Sequence, residues 1–280
     1  MLTKAFSRSA VIAFLAASAV ACNAKPALVN TLMPGQQSAN TPTPTRHKET
    51  ETPIPTSISP TPAAGLCANP LVPVKPGATW TYRNSSGGVS PSFFATTITD
   101  VRLDGFTVST VFADSAKSDQ KWGCKPEGLV ALSLGTGQTA LRLPAQGIEA
   151  ELIGSNASGL TLPAKVQPGM KWPYRLDVAG SISQGNLIAN GKGSISTAME
   201  AVGTELVTVP AGTFEAMKIQ SVSTLNVTAD YHGFNIPLTA TINATFWLAP
   251  GVGWIKSTET GEFAGASVNT ITELQSYDIP

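Results

Sequence analysis

Leu238-Thr239-Ala240-Thr241-Ile242-Asn243-Ala244-Thr245-Phe246-Trp247-Leu248 alternates from end to end without a break. Leu, Ala, Ile, Ala, Phe and Leu hold one parity; Thr, Thr, Asn, Thr and Trp hold the other. Successive side chains of an extended chain point to opposite sides, so a period of two marks a strand with one apolar and one polar face. The polar face is rich in threonine, as a solvated strand face should be.

The same signature spreads outward from that stretch. Residues 206–209, 214–227 and 267–277 read as further strands. Residues 93–102 and 106–112, joined through Asp104-Gly105, read as a hairpin, because Asp-Gly accepts the positive φ angles of a tight primed turn. No window of 11 residues past Cys67 carries a helical stripe. The expected class is therefore all-β, with antiparallel curved sheets over residues 67–280.

A repeat divides that region. Val74-Lys75-Pro76-Gly77-Ala78-Thr79-Trp80-Thr81-Tyr82-Arg83 aligns with Val166-Gln167-Pro168-Gly169-Met170-Lys171-Trp172-Pro173-Tyr174-Arg175, and Val, Pro, Gly, Trp, Tyr and Arg coincide. Downstream of each copy a tryptophan precedes a glycine by six residues: Trp122 before Gly128-Leu129-Val130, and Trp247 before Gly253-Trp254-Ile255. Two related halves follow, approximately 67–162 and 163–280, the second expected to hold an extra pair of strands. Pro-Gly starts a strand, and Trp and Tyr two apart then share a face. Trp80, Tyr82, Trp172 and Tyr174 so form either the cap of a core or an aromatic ligand face.

The N-terminal quarter is different in kind. Lys4 and Arg8 precede an apolar run from Ala10 to Ala21, too short to span a bilayer and suited to a cleaved export signal over residues 1–21. Residues 23–66 hold eight prolines and eight threonines with no apolar periodicity, so a disordered tether is expected over 22–66. Fully extended as polyproline II, its reach is at most ~140 Å.

Ala19-Val20-Ala21-Cys22 resembles the lipobox of bacterial lipoproteins. The resemblance implies cleavage before Cys22, acylation of its thiol (palmitate among the chains), and an exported protein anchored in a membrane, at the periplasmic face or the outer cell surface. More than one chain is what stable attachment requires. Ordinary signal cleavage near Ala21 or Ala24 is the alternative. With Cys22 given to lipid, Cys67 and Cys124 remain as an even pair in an oxidising compartment, either a disulfide or two buried thiols.

Leu206-Val207-Thr208-Val209-Pro210-Ala211-Gly212-Thr213-Phe214 and Pro250-Gly251-Val252-Gly253-Trp254-Ile255-Lys256, with the Pro-Gly-x-x-Trp-x-Tyr elements, resemble segments of exported bacterial domains of uncharacterised function. Some of those fold as open half-barrels similar to the periplasmic lipoprotein carriers. The resemblance implies half-barrel-like halves and brings no catalytic residues.

Chemistry-bearing patterns are sparse. From Cys67 onward 16 Asp/Glu face 13 Lys/Arg, a mildly acidic balance with no basic stripe for a nucleic-acid backbone. His47 lies in the tether and His232 beside Tyr231 and Gly233, so no zinc set forms. No Gly-x-Ser-x-Gly elbow occurs, and Gly135-Thr136-Gly137 lacks the third glycine of a dinucleotide loop. Asp100 and Asp104 lack the rest of a calcium ladder, and Glu149 and Glu151 read as solvated rather than as a glycosidase pair. No catalytic set, metal or cofactor is expected. The expected function is a non-enzymatic, membrane-anchored envelope protein binding an apolar or amphipathic ligand such as lipid on a curved sheet. The alternatives are an assembly lipoprotein presenting a β domain to a protein or cell-wall partner, and a hydrolase whose catalytic set escapes these motifs.

Overall fold

The structure is a computed structural model that describes residues 65–86, 89–134, 141–143, 148–184, 187–263 and 266–280. The export signal, Cys22 and the tether up to residue 64 lie outside the described residues, as does Gly135-Thr136-Gly137. Every regular element among the described residues is a strand. The first half contributes β1 (Thr79–Ser86), β2 (Val89–Thr99), β3 (Gly105–Phe112), β4 (Lys117–Lys125), β5 (Gly128–Ala131), β6 (Leu141–Leu143), β7 (Ile148–Gly159) and β8 (Leu162–Pro163). The second contributes β9 (Lys171–Gln184), β10 (Leu187–Val209), β11 (Gly212–Tyr231), β12 (Phe234–Ala249), β13 (Gly253–Phe263) and β14 (Ala266–Asp278).

All fourteen strands join one antiparallel sheet in the order β6-β7-β9-β10-β11-β12-β13-β14-β1-β2-β3-β4-β5-β8. β1 to β5 and β9 to β14 each follow one another as a meander, the arrangement that short turns dictate, while β6 and β7 of the first half lie beside β9. Two strands carry the sheet from one half to the other. β14 pairs with β13 on one side and β1 on the other. The run from β7 into β8 pairs with β9 and then, past Thr161, with β5. Since β7 and β8 are one nearly continuous segment, the sheet's ends meet and it closes on itself. The expected halves share one sheet, joined at β14–β1 and, through the β7–β8 run, at β7–β9 and the β5–β8 seam.

The seam is short. It consists of Gly128↔Pro163 and Leu129↔Leu162, extended by Thr161 N–H to Leu129 O (2.9 Å), Ala164 N–H to Glu127 O (2.8 Å) and Leu160 N–H to Pro173 O (3.2 Å). Beyond it, β7 has β6 instead of β5 for a neighbour. The circuit is therefore closed at one end, while along the rest of β7 nothing pairs that strand to β4 or β5 among the described residues.

Two expectations change. Asp104-Gly105 is not a two-residue turn: residues 100–104 connect the hairpin, and the positive φ (50°) sits at Asp100. Gly105 is inside β3, where a Cβ would lie 2.5 Å from the Trp122 carbonyl, so β4 passes too close for any side chain. The second half holds no extra pair of strands. It is longer because its strands are longer, 23 residues in β10 and 20 in β11 against 11 in β2 and 8 in β3.

The opening stretch lies in β12, where Thr239, Thr241 and Asn243 are exposed while Ala240 is buried. Its apolar parity faces the interior. The main core gathers Trp80, Tyr82, Phe94, Phe106, Trp172 and Leu274 with others from both halves. A second cluster, Leu152, Leu176, Val178, Leu225, Val227 and Ala240, lines β7, β9, β11 and β12.

Candidate functional site

The repeated motifs build the same local structure twice. Gly77 and Gly169 adopt φ of 82° and 83°, the left-handed conformation glycine enters without a Cβ penalty. In one copy Ala78 N–H closes the turn on Lys75 O (3.1 Å); in the other Met170 N–H closes on Gln167 O (3.1 Å). Gly77 N–H then donates to Ile98 O (2.9 Å) and Gly169 N–H to Ala201 O (2.7 Å). Ala78 O and Met170 O accept from Ile98 N–H and Ala201 N–H, both at 2.9 Å. Each copy thereby launches a strand, β1 or β9, against the strand that follows it.

The four aromatic side chains of these motifs point inward. Trp80, Tyr82 and Trp172 are buried, at 5%, 3% and 6% exposure, and Tyr174 is half-buried between the two clusters. Tyr82 stacks on Phe94 (5.1 Å between centroids) and leans on Trp254 (4.5 Å). Their polar tips are spent on backbone: Trp80 Nε1 donates to Val252 O (2.6 Å) and Tyr82 Oη to Trp254 O (2.8 Å). Tyr174 Oη donates to Ala131 O (2.7 Å). The pairing is crossed. The first copy's tyrosine holds the Gly-Trp-Ile element of the second half, and the second copy's tyrosine holds the Gly-Leu-Val-Ala element of the first. Burial pushes the half-buried Tyr174 hydroxyl up to about 12, against a hydrogen bond with Thr161, and raises the fully enclosed Tyr82 further. Trp172 differs, its Nε1 being buried without a partner.

Cys67 and Cys124 are joined by a disulfide with Cα atoms 4.9 Å apart, tying the start of the domain to β4. His232 occupies the β11–β12 turn with φ 52° and packs edge-on against Tyr231. Glu149 and Glu151 lie in β7 opposite Ser183 and Ser181. Asp100 pairs with Arg102 at the surface.

Above the aromatic layer the inner face changes character. Register places Ser221, Ala244, Glu259, Thr270 and Ser86 in one cross-strand row. The adjoining row toward the core is Ile219, Phe246, Ser257, Thr272 and Asn84. Ser257 and Thr272 are buried at 1% and 4% exposure, which marks this face as interior. Glu259 carries the single charge in these two rows. Burial raises its carboxyl above the usual range, and a hydrogen bond with Thr270 works against that shift. The nearby cations Lys256 and Arg83 sit on the opposite face, both bonded to Glu273 at 3.1 and 3.2 Å. Sequence reasoning missed Glu259, yet the signal was present. Ile255, Ser257, Glu259 and Gly261 share a parity, and the buried Ile255 fixes that parity as inward.

Residues 132–266 match the family model described as DUF3108-like. No curated protein sequence matches the chain. Among solved structures, a Bacteroides fragilis protein named for export and a YmcC-like fold is similar at 16% identity and a TM-score of 0.44, covering 74% of this chain and 98% of its own. A Parabacteroides distasonis protein named as a lipoprotein is similar at 14% identity and a TM-score of 0.42, covering 76% of this chain and 99% of its own. The hypothetical lipoprotein YmcC of Escherichia coli is similar at 11% identity and a TM-score of 0.31, covering 74% of this chain and 87% of its own.

Proposed function

We propose that the chain is an exported, lipid-anchored protein of the cell envelope that binds an apolar or amphipathic ligand against the inner face of its sheet, without chemistry on it. The binding surface in this reading is not the aromatic quartet, whose rings are packed and whose hydroxyl and indole groups are largely committed to backbone. It is the region above them. The observation that carries the proposal is the second inner cluster, Leu152, Leu176, Val178, Leu225, Val227 and Ala240, flanked by the half-buried Ile195 and Leu238. These six side chains are themselves buried, so in this reading the alkyl portion of a ligand lies along their half-buried margin at Ile195 and Leu238, its polar end toward the polar row. The anchor in this reading is Cys22, and the Pro/Thr-rich residues 23–66 set the domain's distance from the membrane.

The test is lipid extraction and native mass spectrometry of the purified full chain. A near-stoichiometric lipid beyond the covalent anchor is the expected result. Leu238→Arg, on the inner parity of β12, should abolish it, while Thr239→Arg on the solvent parity should leave it in place. A chain free of lipid, or equal loss in both variants, would overturn the proposal and favour an assembly role.

A further inference from the structure

We infer that Glu259 and Ser257 form the polar end of this inner face and receive the protonated amine of an amphiphilic ligand. The inference rests on the ligand-binding reading above and adds the chemical class of the ligand's head. Three observations converge on it.

Glu259 is set where a carboxylate needs a partner. Its cross-strand neighbours by register are Ala244 and Thr270, one without a polar side chain and one neutral. The two cations nearest along these strands, Lys256 and Arg83, are on the other face and saturate Glu273. The Thr270 hydroxyl supplies a hydrogen bond but no countercharge. A half-buried carboxylate without a countercharge is costly to ionise, and a cation delivered by a ligand removes that cost.

Ser257 supplies an independent sign. It is the next inward residue of β13, 1% exposed, and its Oγ is buried with no hydrogen-bond partner. A buried hydroxyl left unpaired is uncommon, and it can accept from a group that enters beside it. An ammonium has three donors, enough to engage Glu259, Ser257 and one further acceptor; a hydroxyl head can pair with the same two groups but brings no countercharge, and a carboxylate head adds a like charge.

The surroundings are small on one side and apolar on the other. Glu259 is flanked along its face by Ser257 and Gly261 and across the sheet by Ala244, all small. At Gly261 a Cβ would lie 2.3 Å from the Thr241 carbonyl and 2.7 Å from Ile242 Cδ1, so Ile242 covers that position and presents apolar surface beside the carboxyl. The apolar cluster reaches this region through Leu225↔Ala240, adjacent strands of the same wall.

Native mass spectrometry of the full chain with dodecylamine, dodecanol and dodecanoate as matched probes tests this. The chain should prefer the amine over the alcohol by about tenfold, the equivalent of roughly 1.4 kcal/mol. Glu259→Gln should bring the amine down toward the level of the alcohol and affect the alcohol much less; Ser257→Ala should reduce amine binding with less effect. Far-ultraviolet circular dichroism establishes that each variant is folded, and Ser257→Ala serves alone if Glu259→Gln is not. Binding of all three probes without an amine preference, or a preference that survives both substitutions, refutes the inference while leaving the ligand-binding reading intact. Binding of none of the three refutes both.

Discussion

Tyr174→Phe should weaken the domain at neutral pH and cost less near pH 11. The substitution keeps the ring and deletes the hydroxyl that donates to Ala131 O at 2.7 Å across the closure seam. Losing that bond and leaving a carbonyl without its partner should cost about 1–2 kcal/mol. The alkaline arm follows from linkage. The folded hydroxyl titrates near 12, whereas an unfolded tyrosine titrates near 10. A raised folded pKa means that stability from this group is fully present below pH 10 and is lost as pH rises toward 12, where the unfolded chain has already released its proton. At pH 11 the wild type should have forfeited part of this contribution, at most about 1.4 kcal/mol and less because solvent screens the partly exposed hydroxyl, and the phenylalanine variant none of it. The measured gap between the two proteins should therefore shrink from about 1–2 kcal/mol at pH 7 to a clearly smaller value at pH 11. Urea unfolding followed by circular dichroism at both pH values reads it directly, and the titration of Tyr82, common to both proteins, cancels. A gap that stays constant from pH 7 to 11, or no gap at pH 7, would show that the hydroxyl does not hold the seam.

The Cys67–Cys124 bond closes a separation of 57 residues, for which the chain-entropy relation gives about 4 kcal/mol; Cys67→Ser, Cys124→Ser and the double variant should lose similar stability, read by chemical denaturation. Trp80→Phe should cost more than Trp172→Phe, although both rings are buried, because the Trp80 Nε1 has an acceptor and the Trp172 Nε1 has none; a difference of about 1 kcal/mol is expected in thermal or urea unfolding. Cys22→Ala should abolish acylation and move the chain out of the detergent phase on partitioning; a wild-type protein recovered in the aqueous phase with a free N-terminus near Asn23 or Lys25 would remove the anchor from this account.

Local rules in the chain account for much of what is observed. Alternation in residues 238–248 was enough to place a strand and to say which parity is apolar, because side-chain direction in a strand depends on nothing beyond its neighbours. The Pro-Gly pairs at Pro76 and Pro168 were enough to place two equivalent strand starts, because a left-handed glycine after proline is a local preference. The same rules misread Asp104-Gly105, where the closeness of the Trp122 carbonyl, a contact from another strand, accounts for the glycine.

What alternation could not supply was the identity of each strand's second neighbour. β14 beside β1, and β8 beside β5, are pairings between residues far apart in the chain, settled by closure of the whole sheet. From that closure follows the fate of the aromatic motifs. Parity put Trp and Tyr on one face, and only the strands arriving opposite decided that the face is covered and that Tyr82 and Tyr174 bond into each other's half. The same holds for Glu259, which by composition is one of 16 acidic residues past Cys67 and by sequence lies in an ordinary Thr-Glu-Thr run. Its distinction is the lack of a countercharge among the described residues, and charge compensation is a property of the neighbouring strands, which the sequence of β13 does not contain.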